Sequence, residues 1–234
     1  VEKLNTALSK RVEGVILASR EAERLLRLSD PRFQGGIIHM PLPFEDRWVN
    51  DFLERRYFSF IGHAVKAKGV DIFFKLVEES QKEGADFEFL IATSSNISKC
   101  VRSLSSPARR RLHIINERFL SNEMIDKAIG ASWGIIAPYR RVTQSGVVPV
   151  AFMHGKPIIA TNKGAMPESV VPGVTGFLVD NVDCISEWLI KMRQLQRDYA
   201  KLSANCREYY LKNFDSSLAP IYLKRIIENQ SRNM

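Results

Sequence analysis

From Tyr57 onward the chain alternates short apolar runs that lack a polar face with longer segments of helical periodicity, and this alternation limits the possible folds more than any other feature. The runs Phe58 to Ile61, Phe87 to Ala92, Leu112 to Ile115, Trp133 to Ala137, Pro157 to Ala160 and Gly176 to Val179 read as strands. Between and after them, Val70 to Glu83, Ile97 to Leu104, Ser121 to Gly130, Ser145 to Met153, Pro167 to Val171 and a long Ile185 to Phe214 read as helices. A strand that is apolar on both sides must be covered on both sides, and parallel strands need a crossover to join them. The pattern therefore predicts an α/β fold, a doubly wound Rossmann-like parallel sheet that takes ligands at the carboxyl ends of its strands. Trp188, Leu189, Met192, Leu195, Tyr199 and Leu202 recur at helical spacing and predict one face of the last helix packed along the sheet.

Upstream, Val12 to Ser19 reads as a strand, Arg20 to Leu28 as a helix, and Ile37 to Met40 as a second strand stopped by Pro41 and Pro43. Pro41 to about Arg56 reads as a connector, which divides the chain into residues 1–44, the end of a preceding domain with its linker, and residues 45–234, a complete domain. The first residue, Val1, is followed by no signal-peptide pattern, and the start reads as a cut within a longer chain. No apolar run approaches the ~20 residues of a membrane span, so a soluble protein is expected.

Charge narrows the partners without choosing one. Lys and Arg number 34 against 26 Asp and Glu, a net +8 that suits nucleic acid, anionic lipid or phosphate-bearing ligands. Arg109 to Arg111 is the one run of three basic residues, and no aromatic residues interleave with it as a single-strand platform requires, so it reads as a solvated loop and no nucleic-acid partner is expected. Cys100, Cys184 and Cys206 form neither a C-x-x-C pair nor a zinc-ligand spacing, which fits a reducing cytoplasm and no structural metal.

Three loops carry chemistry. The first, Gly62-His63-Ala64-Val65-Lys66-Ala67-Lys68-Gly69, joins a strand to a helix and sets two lysines and a histidine between glycines; it reads as an anion site or as a solvated basic loop, and it is not a Walker loop. The second, Pro138 to Val148, contains Thr143-Gln144-Ser145-Gly146 just before an apolar helix. Its small residues would let a diphosphate approach the helix-terminal N–H groups, or Thr143 or Ser145 would act as an ordinary N-cap. The third, Gly155 to Val179, is a strand, turn, short helix and strand with glycines at its turns.

Taken together, G-H-x4-K-G, then PYRRVTQSGVVPVAFMHGKPIIATNKGAMPESV, then PGVTGFLV, resemble the carboxyl-terminal domain of retaining glycosyltransferases of the GT-B fold, family 4. The likeness runs from about Tyr57 to Val179. It implies a domain that holds a nucleotide diphosphate sugar as substrate, with no cofactor and no metal. A saccharide or lipid-linked acceptor would be served by the amino-terminal domain, which usually also supplies the histidine nearest the reacting sugar. Carried over residue by residue, Gly62, His63 and Lys68 fall on the first phosphate loop. Thr143, Gln144, Ser145, Gly146 and Val147 fall on the second. Arg118 and Phe119, with Asn116 and Glu117, fall where the base is gripped. The resemblance names no catalytic residue in this chain. His63 stands where the family commonly has arginine, and the widespread E-x7-E pair is absent. His154, on the helix after the second loop, reads as a packing residue.

The resemblance implies a glycosyltransferase that is cytoplasmic and peripheral to the inner face of a membrane if its acceptor is lipid-linked. A degenerate nucleotide-binding or scaffold domain and a sugar-nucleotide epimerase or phosphorylase of the same architecture are the alternatives, because fold alone does not set chemistry.

Overall fold

The computed structural model describes residues 12–48 and 54–224. Six parallel strands form one sheet: β3 (Tyr57–Ile61), β4 (Glu88–Thr93), β5 (Leu112–Asn116), β6 (Ser132–Ala137), β7 (Ile158–Thr161) and β8 (Gly176–Val179). Their spatial order is β5-β4-β3-β6-β7-β8. The chain thus builds outward from β3 to one edge, returns to pair β6 with the other side of β3, and builds outward again.

The two-residue period of the strands feeds two cores on opposite faces. Phe58, Phe60, Phe89, Ile91, Ile136 and Ile159 point into one, against α2 (Val70–Lys82) and α7 (Ile185–Arg197). Ile61, Leu90, Ala92, Ile135, Ala137, Ile158 and Ala160 point into the other, against α5 (Asn122–Gly130), α6 (Val147–Met153) and α8 (Tyr199–Asn213). The first core is aromatic: Phe73 meets Phe60 at 5.5 Å and Phe89 at 5.8 Å between ring centroids. Burying each such side chain contributes about 1.5–3 kcal/mol, which is why strands with no polar face are stable here.

The two cores also explain the main departure from the sequence expectation. Ile185 to Phe214 is two helices broken at Asp198, because Trp188, Leu189, Met192, Leu195 and Leu202 belong to the first core while Cys206, Tyr210 and Phe214 belong to the second. A straight rod cannot pack on both faces of one sheet. Tyr199, at the break, is only partly buried. The helix expected over Pro167 to Val171 is a single turn, Met166–Glu168: Thr175 Oγ1 takes the Val171 N–H at 2.8 Å and donates to the Ser169 carbonyl at 3.0 Å, folding the chain back before Pro172. Arg109 to Arg111 is likewise no open loop. Ser105 caps a short helix α4 (Ser106–Arg110), and Arg111 turns back to the Ala85 carbonyl. A further short helix, α3 (Ser98–Ser103), precedes it.

The upstream residues form a separate two-stranded parallel sheet, β1 (Gly14–Leu17) and β2 (Gly36–His39), crossed by α1 (Arg20–Ser29). The connector then docks on the larger body. Phe44 N–H donates to the Phe214 carbonyl at 2.8 Å, its carbonyl accepts from Ser216 N–H at 3.0 Å and Tyr210 hydroxyl at 2.8 Å, and Arg47 grips Asp126 with two hydrogen bonds at 3.1 and 3.2 Å. The middle of the expected connector, residues 49–53, lies outside the described residues. His154 is half-buried beside this junction with Nε2 3.1 Å from Asp126, and desolvation first of all holds its pKa below the usual imidazole value. No helix among the described residues is long and apolar enough to cross a membrane.

Candidate functional site

In a doubly wound sheet the crevice opens at the carboxyl ends of the two strands between which the winding reverses, because their loops leave in opposite directions. Here those strands are β3 and β6, and their loops are Gly62–Gly69 and Pro138–Gly146.

The two loops are joined along their backbones. The N–H groups of Arg140 and Arg141 both donate to the Ala67 carbonyl, at 2.9 and 3.4 Å. The Arg140 guanidinium donates to the Lys66 carbonyl at 3.0 Å and holds the Asp71 carboxylate through two bonds at 2.7 and 2.8 Å. Burial works to raise the Asp71 pKa but is outweighed by Arg140, leaving that carboxyl below its ordinary range. Gly69 makes the approach possible. Its φ is +69°, and a Cβ there would lie 1.9 Å from the Pro138 carbonyl oxygen, so no other residue fits. Gly62, at φ +104°, faces Val147, whose Cγ2 would lie 4.0 Å from a Cβ on that glycine.

These contacts carry Lys68 into the crevice. The side chain is half-buried, its Nζ lies 4.2 Å from the centroid of the Tyr139 ring, and burial lowers its pKa from the usual lysine value. Tyr139 is fully buried; burial above all raises its pKa, and its phenol lies beside Ser145. Ser145 Oγ is buried and has no hydrogen-bond partner of normal geometry. A buried hydroxyl left unsatisfied costs about 1–3 kcal/mol, so each one calls for a partner, whether an ordered water or a ligand. Helix α6 begins at Gly146 without a side-chain cap, so neither Thr143 nor Ser145 serves as its N-cap.

The same loop borders a cavity of about 50 Å³ lined by Gln144 and Ser145, by Ser19, Pro41 and Leu42 of the upstream unit, and by Glu168. Ser19 Oγ donates to the Thr143 carbonyl at 2.5 Å, and the Glu168 carboxylate accepts from the N–H groups of Arg20 and Glu21 at 2.8 and 3.0 Å. That carboxylate therefore sits at the positive end of α1. The Phe44 ring lies over Gly146, 3.5 Å from where a Cβ would be.

Of the residues singled out in the sequence, Gly62 and Lys68 lie on one of the two joined loops and Gln144, Ser145 and Gly146 on the other, with Val147 facing Gly62; Gln144 and Ser145 line the cavity, whereas Gly62, Lys68, Gly146 and Val147 do not. His63 is on the same loop, its side chain exposed, and Thr143 is exposed on the other. Arg118 and Phe119 lie apart, beyond the end of edge strand β5 and two strands from β3, with Phe119 78% exposed. One chain of contacts connects that end to the crevice. Asn116 donates to the Thr93 and Ser95 carbonyls at 2.7 and 3.0 Å, and Ser95 Oγ accepts from Ala64 N–H at 3.0 Å. Sequence reading overlooked Tyr139 and the Arg140–Asp71 pair. A buried aromatic directly after a strand looks like core, and an ion pair separated by sixty-nine residues leaves no local signal.

This geometry belongs to a known class. The family described as glycosyl transferases group 1 matches residues 55–198, more than half of the chain. The chain belongs to that family. No curated protein matches it. Among solved structures, a point mutant of S. aureus TarM in complex with fondaparinux, alpha-GlcNAc-glycerol and UDP superposes with a TM-score of 0.76 at 17% identity, covering 97% of this chain and 45% of TarM. Sucrose-phosphate synthase from Thermosynechococcus elongatus gives 0.77 at 15% identity, covering 100% of this chain and 62% of the synthase. Anabaena HepE in complex with UDP gives 0.74 at 15%, covering 99% and 67%. At such identities the likeness establishes the fold, that of a GT-B glycosyltransferase domain. The chain spans about half the length of TarM.

Proposed function

We propose that this chain is the donor-binding half of a group 1 glycosyltransferase that moves a sugar from a nucleotide diphosphate sugar to a saccharide or lipid-linked acceptor with retention at the anomeric carbon. The observation that carries the reading is that Tyr139, at the reversal point of the sheet, has the Lys68 ammonium on its ring and the buried Ser145 hydroxyl beside its phenol, which brings the two loops that bear them together. A diphosphate between Gly62–Lys68 and Gln144–Val147 would meet a cation on one side and N–H and O–H donors on the other. As the sugar departs, charge develops on the leaving nucleoside diphosphate. Donors already in place stabilise it without reorganising, an arrangement worth about 2.7–4 kcal/mol per donor in comparable sites. The acceptor and the group nearest the reacting sugar belong to the amino-terminal half, so sugar transfer requires both halves. The UDP complexes of TarM and HepE make a uridine base the first to try.

Calorimetry of the chain with UDP, GDP and ADP, each against its nucleoside, tests the reading. Binding of one diphosphate at least tenfold tighter than its nucleoside is expected. Failure of all three to bind supports a scaffold domain instead.

A further inference from the structure

We propose that Tyr139 is a positioning residue for the donor, its ring holding the Lys68 ammonium over the crevice while leaving that charge unneutralised for the diphosphate. The inference rests on the donor-binding reading and adds to it the group that sets the lysine.

A lysine that must grip an anion faces a conflict. Left free, a four-carbon side chain samples many rotamers and loses them on binding; tied to a carboxylate, it is ordered but its charge is spent. An aromatic face resolves the conflict. It attracts a cation through the ring quadrupole while adding no negative charge that would compete with phosphate. Lys68 is in that position, with Nζ 4.2 Å from the ring centroid. The nearest carboxylate on the adjoining helix turn, Asp71, is taken up by Arg140.

The ring itself is fixed. Tyr139 is 1% exposed, its N–H donates to the Ala137 carbonyl at 2.9 Å, and its carbonyl accepts from the buried Thr161 hydroxyl at the end of β7. The backbone bonds from Arg140 and Arg141 to Ala67 hold the lysine's own turn against the residues that follow the ring. Platform and cation are thereby built from the two loops that form the crevice. The Tyr139 phenol also lies beside the buried Ser145 hydroxyl, so one side chain borders both groups offered to the ligand.

The test separates the ring's charge distribution from its shape. Tyr139→Phe keeps the ring and is expected to bind UDP within about twofold of the unaltered chain. Pentafluorophenylalanine at the same position keeps nearly the same volume and removes the negative face. It should weaken UDP by about three- to tenfold relative to Tyr139→Phe, the range of a partly desolvated cation–π contact, and leave uridine unchanged. In parallel, the Lys68 ε-methylene NMR signal should be shifted upfield by the ring in the unaltered chain and return toward its free value in Tyr139→Leu. Equal UDP affinity in the Phe and pentafluorophenylalanine proteins, or an unshifted Lys68 signal, overturns the proposal while donor binding stands. An unaltered chain that binds UDP no better than uridine overturns the donor reading together with the proposal, and the Lys68 signal then reports only the contact.

Discussion

Two lysines, one half-buried and one buried, lie at opposite ends of the six-stranded sheet, and the contrast between them sets the candidate site against a structural burial. Lys68 follows β3 at the carboxyl ends of the strands, and Lys156 precedes β7 at the amino ends. Lys156 is the more deeply buried, 6% exposed, with Nζ donating to the Tyr199 hydroxyl at 3.3 Å. Burial, aided by the nearby Arg55 charge, pulls its pKa down to about 8. Arg55 in turn stacks on Trp133 and Tyr199, 5.2 and 4.6 Å from their centroids. Both lysines thus touch aromatic side chains and both have a lowered pKa. Lys156 is enclosed with the ring and hydroxyl of Tyr199, whereas Lys68 is half-buried on the ring of Tyr139, whose phenol lies beside the Ser145 hydroxyl. A lowered pKa is therefore shared by both lysines and does not tell them apart; their surroundings do.

The comparison breaks most completely if the turn that places Lys68 is altered. Gly69→Ala puts a methyl into the Pro138 carbonyl at a positive φ, and should cost about 4 kcal/mol of stability by combined strain and overlap. Urea denaturation measures it, and a loss below about 1 kcal/mol would mean that the two loops need not touch.

Next in size is Lys156. Its folded pKa of about 8 lies below the unfolded lysine value, so between those values the unfolded chain binds the extra proton and stability rises with pH. Below pH 8 the buried charge destabilises the fold by about 3 kcal/mol. Lys156→Met should therefore be more stable than the unaltered chain at pH 7, by up to that amount, and should lose the rise in stability between pH 8 and 10.5. Nucleoside diphosphate affinity should not change, and a loss there would erase the contrast.

Lys68→Ala should do the reverse, changing stability little and weakening UDP by about 1.5–3 kcal/mol with uridine unaffected, since a charge-assisted bond is removed. Calorimetry against the nucleoside is the control for misfolding. The smallest effect sharpens the comparison. Ser145→Ala removes a buried hydroxyl whose neighbour is the Tyr139 phenol, so it should change stability by less than about 1 kcal/mol while UDP binding weakens. A larger loss of stability would show that Ser145 serves the fold.

The doubly wound sheet was readable from residue order because strands buried on both faces cannot carry a polar side, and Phe58–Ile61 or Ile158–Thr161 announce that without any partner in view. The two loops that meet at the reversal point, Gly62–Gly69 and Pro138–Gly146, stood out for a similar local reason: glycines, small polar residues and lysines cluster where a strand turns into a helix. Asp198 carried no comparable signal. Whether one apolar stripe continues as one helix depends on which face of the sheet each half must cover, and Leu195 and Cys206 cover different faces. The same limit hid the contact of Tyr139 with Lys68 and the Arg140–Asp71 bridge. Their sequence looks like ordinary core and ordinary charge, and they acquire meaning when the β3 and β6 loops are brought within hydrogen-bond distance. Local periodicity reports what a segment must bury, whereas contacts between loops sixty or more residues apart depend on strand order, which periodicity does not encode.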